Sequence, residues 1–119
     1  MQEIPSSMSI DPIVRIEKLE EEFDVDIAKE LAQAYLDDTH DAIARIDAAF
    51  AAHDQEQLRS VAHLIKGCSR VIQAWKCEQV SANLENCARD GDWTGASANA
   101  AELKQAYKDT EAFLRQYLG

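Results

Sequence analysis

A neutral imidazole is a nucleophile near pH 7, and the surroundings of His63 suit one that is put to use. Lys66, Gly67 and Arg70 follow it at three, four and seven residues, spacings that bring all three to the histidine's side of an α-helix. On the same wheel Arg59 and Ser60 also fall within about 60° of it. A phosphoryl group placed on the ring would add negative charge, which Lys66 and Arg70 stand ready to offset. Gly67 costs a helix interior about 1 kcal/mol relative to alanine, and what it provides is a bare patch beside the ring that a second surface can approach. The charge pattern agrees: the chain carries a formal net charge of -10, yet between Leu58 and Cys77 there are four basic residues and no acidic one.

The element that must present this face is an α-helix. Leu58, Val61, Ile65, Cys68 and Ile72 recur at steps of three or four and form a stripe facing a core, with His63 roughly half a turn away. Leu64 and Val71 flank the histidine face. Ser69 points back toward the core and is expected to bond a backbone carbonyl one turn earlier.

The run His63-Leu64-Ile65-Lys66-Gly67-Cys68-Ser69 followed by Ala74 resembles the H-x-L-K-G-x-S-x-x-x-G-A signature of histidine-containing phosphotransfer (HPt) domains. The chain departs from that pattern at Ile65, a conservative change, and at Gln73, where the family usually has glycine. One expectation for the glycine-free turn is that it lengthens the third helix. The resemblance implies an all-α fold, an antiparallel four-helix bundle, and phosphorylation of His63 on Nε2 by a receiver-domain aspartyl phosphate, with onward transfer to another receiver. It assigns Lys66 and Gly67 to the site with His63 and Arg70 to a supporting role; from their place on and beside the histidine face, Arg59, Ser60, Leu64 and Val71 are the candidate docking residues. It also implies that the Mg²⁺ and the acidic pocket belong to the partner receiver and that this chain needs no cofactor of its own. The rival of a different class is a helical module that binds a receiver or kinase without carrying phosphate.

Periodicity alone supports the same architecture. With 46% hydrophobic residues, four glycines and two prolines in 119 residues, the chain is expected to form one helical domain over residues 10–119 behind a mobile leader at 1–9. Asp11-Pro12 is a helix opening, with Ile13, Ile16, Leu19 and Phe23 marking a short first helix. Asp24 or Asp26 caps a long second helix carrying Ile27, Leu31, Ala34, Tyr35, Ile43, Ile46 and Phe50, which ends at His53-Asp54. Asp38 interrupts that series as a solvated carboxylate. After a connection at Ala74-Trp75-Lys76, a fourth helix shows Cys77, Val80, Leu84 and Cys87 or Ala88 to the core and stops at Gly91. Asp92 caps a fifth, with Ala96, Ala100, Leu103, Tyr107, Thr110, Leu114 and Tyr117 as its seam. By spacing, Glu85 and Arg89, one turn apart on the fourth helix, form a surface ion pair; the resemblance implies instead that either supports the site from beside His63.

Several classes are disfavoured. A net charge of -10 argues against nucleic acid and against anionic membranes, and no stretch approaches the ~20 apolar residues of a membrane span. His40 and His53 lack partners at metal-ligand spacing, and Cys68, Cys77 and Cys87 form no C-x-x-C pair. Trp75 and Trp93, at helix boundaries, are expected to pack. No G-x-x-x-x-G-K-[ST] loop is present, so autokinase activity is not expected, and a cytoplasmic monomer is the expected form. An enzyme using His63 as a general base would need a carboxylate to orient the ring, and none is evident from the spacing.

Overall fold

The computed structural model describes residues 12–119, so the leader over 1–9 and the cap at Asp11 lie outside the described residues. All regular structure within them is helical: α1 (Ile16–Glu22), α2 (Val25–Ala51), α3 (Gln55–Val71), α4 (Trp75–Asp90) and α5 (Trp93–Leu118). α3 packs between α2 and α4, and α5 closes the ring between α4 and α2, an antiparallel four-helix bundle. Leu58, Ile65, Leu84, Leu103 and Leu114 are at most 1% exposed and fill its centre.

The two long helices overshoot the shorter pair at one end, and α1 covers that end. Leu19 is fully buried there, and Tyr117 Oη donates to Glu20 at 2.6 Å. α1 starts at Ile16, four residues later than the Pro12 opening suggests, because the preceding segment bends and is tied to other parts of the bundle. Val14 is drawn into the core, Trp75 Nε1 donates to the Pro12 carbonyl at 2.7 Å, and Arg15 N donates to the Gln73 carbonyl at 3.2 Å.

Asp24 caps α2 by accepting from Ile27 N at 2.9 Å. The buried face of this helix is Ala28, Ala32, Tyr35, Leu36, Thr39, Ala42, Ile46 and Ala49, so Ile27 and Ala34 stand exposed, contrary to expectation. Small alanines let the neighbouring helices approach closely, and the face is centred on them rather than on the larger side chains. On α4 and α5 the expected core residues are buried, apart from Cys87 and Tyr117, which are half-buried.

Three of the connections share one solution. α2, α3 and α4 each end in a residue with left-handed backbone, His53 (φ 52°), Gln73 (φ 66°) and Gly91 (φ 71°). In each, the amide of the next residue reaches back to a carbonyl five positions earlier: Asp54 to Ala49, Ala74 to Ser69, Asp92 to Cys87, all 2.9 Å. This double-bonded ending satisfies helix carbonyls that would otherwise lack partners. α3 therefore stops at Val71 and the glycine-free turn does not lengthen it; α4 begins at Trp75, two residues before the expected Cys77. His53 likewise lies beyond the end of α2 and Asp54 caps α3, accepting from Gln57 N at 3.0 Å.

A β-carbon in the left-handed region costs about 1 kcal/mol, which Gln73 bears and glycine would not. Gln73→Gly should raise unfolding stability by about 1 kcal/mol in urea titrations, with the m-value unchanged.

Candidate functional site

α3 turns its apolar stripe inward, with Leu58, Val61, Ala62 and Ile65 at most 2% exposed. His63 then faces outward with 67% of its side chain exposed. The rotation of the helix is fixed further by Ser69, fully buried about 120° around from His63, whose Oγ lies 3.0 Å from Tyr35 Oη. That cross-helix bond replaces the expected bond to a carbonyl within α3, because the Tyr35 hydroxyl, carried inward by α2, needs a partner of its own.

The arrangement is completed by α4. Glu85 extends toward α3 with 15% of its side chain exposed, one oxygen 2.8 Å from His63 Nδ1 and the other 2.7 Å from Lys66 Nζ. A histidine and a lysine three residues apart on one helix thus share a carboxylate from the next. An ionised carboxylate only accepts hydrogen bonds, so the proton of the neutral ring sits on Nδ1 and the lone pair on Nε2. Partial burial pushes the Glu85 carboxyl upward, the hydrogen bonds from Lys66 and His63 pull it down, and the net direction is down from 4.5. The orienting carboxylate that spacing did not reveal is therefore present, and of the two open readings for Glu85 the one beside His63 holds. Arg89 has turned to Asp90 at 3.3 Å and leaves Glu85 alone.

The basic strip apparent along the sequence is neutralised in three dimensions. Arg59 pairs with Glu56 at 2.8 Å on its own helix, Arg70 with Glu78 of α4 at 2.9 Å, and Lys66 with Glu85. Arg70 therefore does not stand as a free cation beside the imidazole. Gly67 is exposed, and a β-carbon built on it would meet nothing within 4 Å. Ser60 is exposed, as are Leu64 (41%) and Val71 (46%) on the α2 flank. Val71 edges a shallow apolar groove with Leu31, Ala34 and Cys68, and Leu64 lies among Asp37, Asp38, His40, Asp41 and Arg45.

The other singled-out side chains lie elsewhere. His53 stacks on Trp93 with ring centroids 4.0 Å apart, and Phe50 meets the same indole edge-on. Burial pushes the Cys77 thiol upward, and its sulfur lies 3.4 Å from Thr110 Oγ1. Among the described residues no three His, Cys, Asp or Glu side chains converge as a metal site, and no helix is long and apolar enough to cross a membrane.

The sequence profile of the Hpt domain family matches residues 30–113, from the second turn of α2 to the last turns of α5. The chain belongs to the Hpt family. Membership gives this Hpt domain a histidine phosphotransfer role in two-component signalling, the setting in which such domains meet receiver domains. The crystal structure of histidine-containing phosphotransfer protein B (HptB) from Pseudomonas aeruginosa PAO1 has the same fold. It matches with a TM-score of 0.81 at 24% identity, over 88% of this chain and 93% of that one. No curated protein matches.

Because the folded-state value of Glu85 lies below 4.5, its bonds to His63 and Lys66 contribute fully above that pH and are lost as pH falls through the lower value. A carboxyl-carbon NMR titration of the Hpt domain should place the Glu85 midpoint below 4.5, and Lys66→Gln should move it upward.

Proposed function

We propose that this Hpt domain is a phosphorelay intermediate in which His63 accepts a phosphoryl group from a receiver-domain aspartyl phosphate and passes it to another receiver. One observation carries the reading. His63 is exposed on the histidine helix of an Hpt bundle with Nδ1 held by Glu85, while Nε2 has no hydrogen-bond partner among the described residues. The Nε2 lone pair forms the N–P bond as the P–O bond to the receiver's aspartate breaks, and the aspartate leaves as carboxylate. Most of the protein's work in such a loose, in-line transfer is positioning and charge neutralisation.

Lys66, three residues along the same helix, is the cation within reach of the phosphoryl oxygens, and Gly67 leaves the ring's neighbourhood open to the receiver. Leu64, Val71, Ser60 and Arg59 surround the approach, and the apolar groove at Val71 supports docking on the α2–α3 side. The carboxylate beside His63 is already shared by two donors, a poor set for a hard cation that wants several oxygens. In this scheme the Mg²⁺ belongs to the receiver.

Incubation with a receiver preloaded with labelled phosphate should place acid-labile, base-stable label on the wild type and none on His63→Gln. Binding without label from any of a broad receiver set would favour the interaction-only reading. Gly67→Ala separates approach from folding: the open space around the position predicts about 1 kcal/mol higher stability, with transfer from the receiver at least about tenfold slower.

A further inference from the structure

A phosphoryl group on His63 adds negative charge to a face whose cations already have partners, so the cation that meets it must leave or share a carboxylate. The three pairs on α3 differ in how readily they open. Lys66 is held 2.7 Å from Glu85, with only 25% and 15% of the two side chains exposed. Arg70 starts two turns further along α3, about 10 Å by helical rise, and is tied across to Glu78 of α4. Arg59 lies one turn before His63, and its pair with Glu56 is open to water, with 41% and 76% of the side chains exposed. An exposed pair within one helix is among the weakest of ion pairs.

The geometry brings Arg59 near the ring. Helical side chains lean toward the helix N-terminus, so the imidazole of His63 stands over the turn that carries Arg59. The guanidinium's proton affinity is raised first by the hydrogen bond to Glu56, then by that carboxylate's charge, with slight burial opposing and the charge of Glu85 adding a smaller part. Glu85 is the carboxylate 2.8 Å from His63 Nδ1, so Arg59 already stands in the field of the site. Only its Nη2 is engaged, by Glu56 at 2.8 Å, and a guanidinium has five N–H donors in a fork that suits phosphoryl oxygens. Glu56 gives it up at little cost: it lies in the first turn of α3, where the helix N-terminus favours a carboxylate without help from Arg59.

We infer that Arg59 is a reserve cation of the phosphorylated site: it turns from Glu56 to the phosphoryl oxygens on His63, and Glu56, by competing for it, limits how firmly the phosphoryl group is held. The inference rests on His63 being the phosphoryl carrier. It gives Arg59 a role distinct from docking. A docking contact is present before and after transfer alike, so its loss slows transfer in both directions and leaves the equilibrium where it was. A contact made only to phosphorylated His63 shifts the equilibrium between carrier and receiver.

The test lets labelled phosphate equilibrate between a preloaded receiver and the protein, and measures how it divides. Arg59→Gln should shift the division toward the receiver by about threefold, the scale of an exposed charge pair, and Glu56→Gln should shift it about as far toward the Hpt domain. The double variant should behave as Arg59→Gln alone, because Glu56 acts through Arg59. Single variants that move the division in the same direction overturn the inference, as do variants that change the rates and leave the division fixed, the mark of docking alone. A second measurement needs no receiver. With His63 phosphorylated by phosphoramidate, a ³¹P titration should place the last proton of the phosphoryl group about half a unit higher in Arg59→Gln than in wild type, since the cation favours the dianion. Coincident titrations overturn the inference. A wild type that takes up no label from any receiver ends the carrier reading; label taken up with a division indifferent to Arg59 and Glu56 ends only the role of Arg59.

Discussion

One carboxylate bonded to two donors on the neighbouring helix constrains everything around it. Glu85 can meet both His63 and Lys66 only if α3 and α4 run antiparallel at a fixed register and each is turned to a fixed face. Register comes from the turn at Ile72-Gln73-Ala74, whose left-handed middle residue reverses the chain in three residues. One residue more in that turn would rotate α4 by about 100° relative to α3 and carry Glu85 away. Facing comes from the core, through Leu58, Val61 and Ile65 on one helix and Val80 and Leu84 on the other. The Ser69–Tyr35 bond further pins α3 against α2.

Stability and function therefore draw on different parts of the molecule. A buried leucine contributes about 2 kcal/mol through the water it sheds, whereas an exposed ion pair such as Arg70–Glu78 contributes at most about 1. The bundle does not depend on the charges of the histidine face, which leaves them free to serve chemistry. Gly67 shows the same separation, since the fold has room for a larger residue there and the helix would favour one.

Much of this was legible in the sequence because helical periodicity reports burial directly. The stripe of α3, the outward His63, the caps Asp24 and Asp92 and the stop at Gly91 all follow from spacing and residue type. The misreadings came where a local signal met a tertiary one. Asp11-Pro12 resembles a helix start, but the bonds of Pro12 to Trp75 and of Arg15 to Gln73 hold the chain in a non-helical bend. Ile27 looks like core, but α2 buries its alanines. Basic residues near His63 looked unpaired because their partners come from α4 or from just before Leu58. Glu85, 22 residues from His63, obeys no helical spacing rule. The signal that finds it is the hairpin: reflecting His63 through Gln73 lands at about residue 83, so the carboxylate at 85 lies nearly level with the imidazole.

The pairing of charges also bears on how the proposed relay gains speed. Interactions as strong in the resting complex as in the transition state deepen binding without accelerating transfer. A face bristling with free cations would hold the phosphoryl group tightly and release it slowly. Here Arg59 and Arg70 are already occupied, and Lys66 comes to the phosphoryl group from an existing carboxylate partner. The Glu85–Nδ1 bond behaves differently, because it strengthens only as the ring gains positive charge, while the N–P bond is forming or when it has formed. Electrostatic stabilisation aimed at charge that develops during the step accelerates uptake of the phosphoryl group. A carrier that must both receive and give is served by that balance, and the fold supplies it with one glutamate set by one three-residue turn.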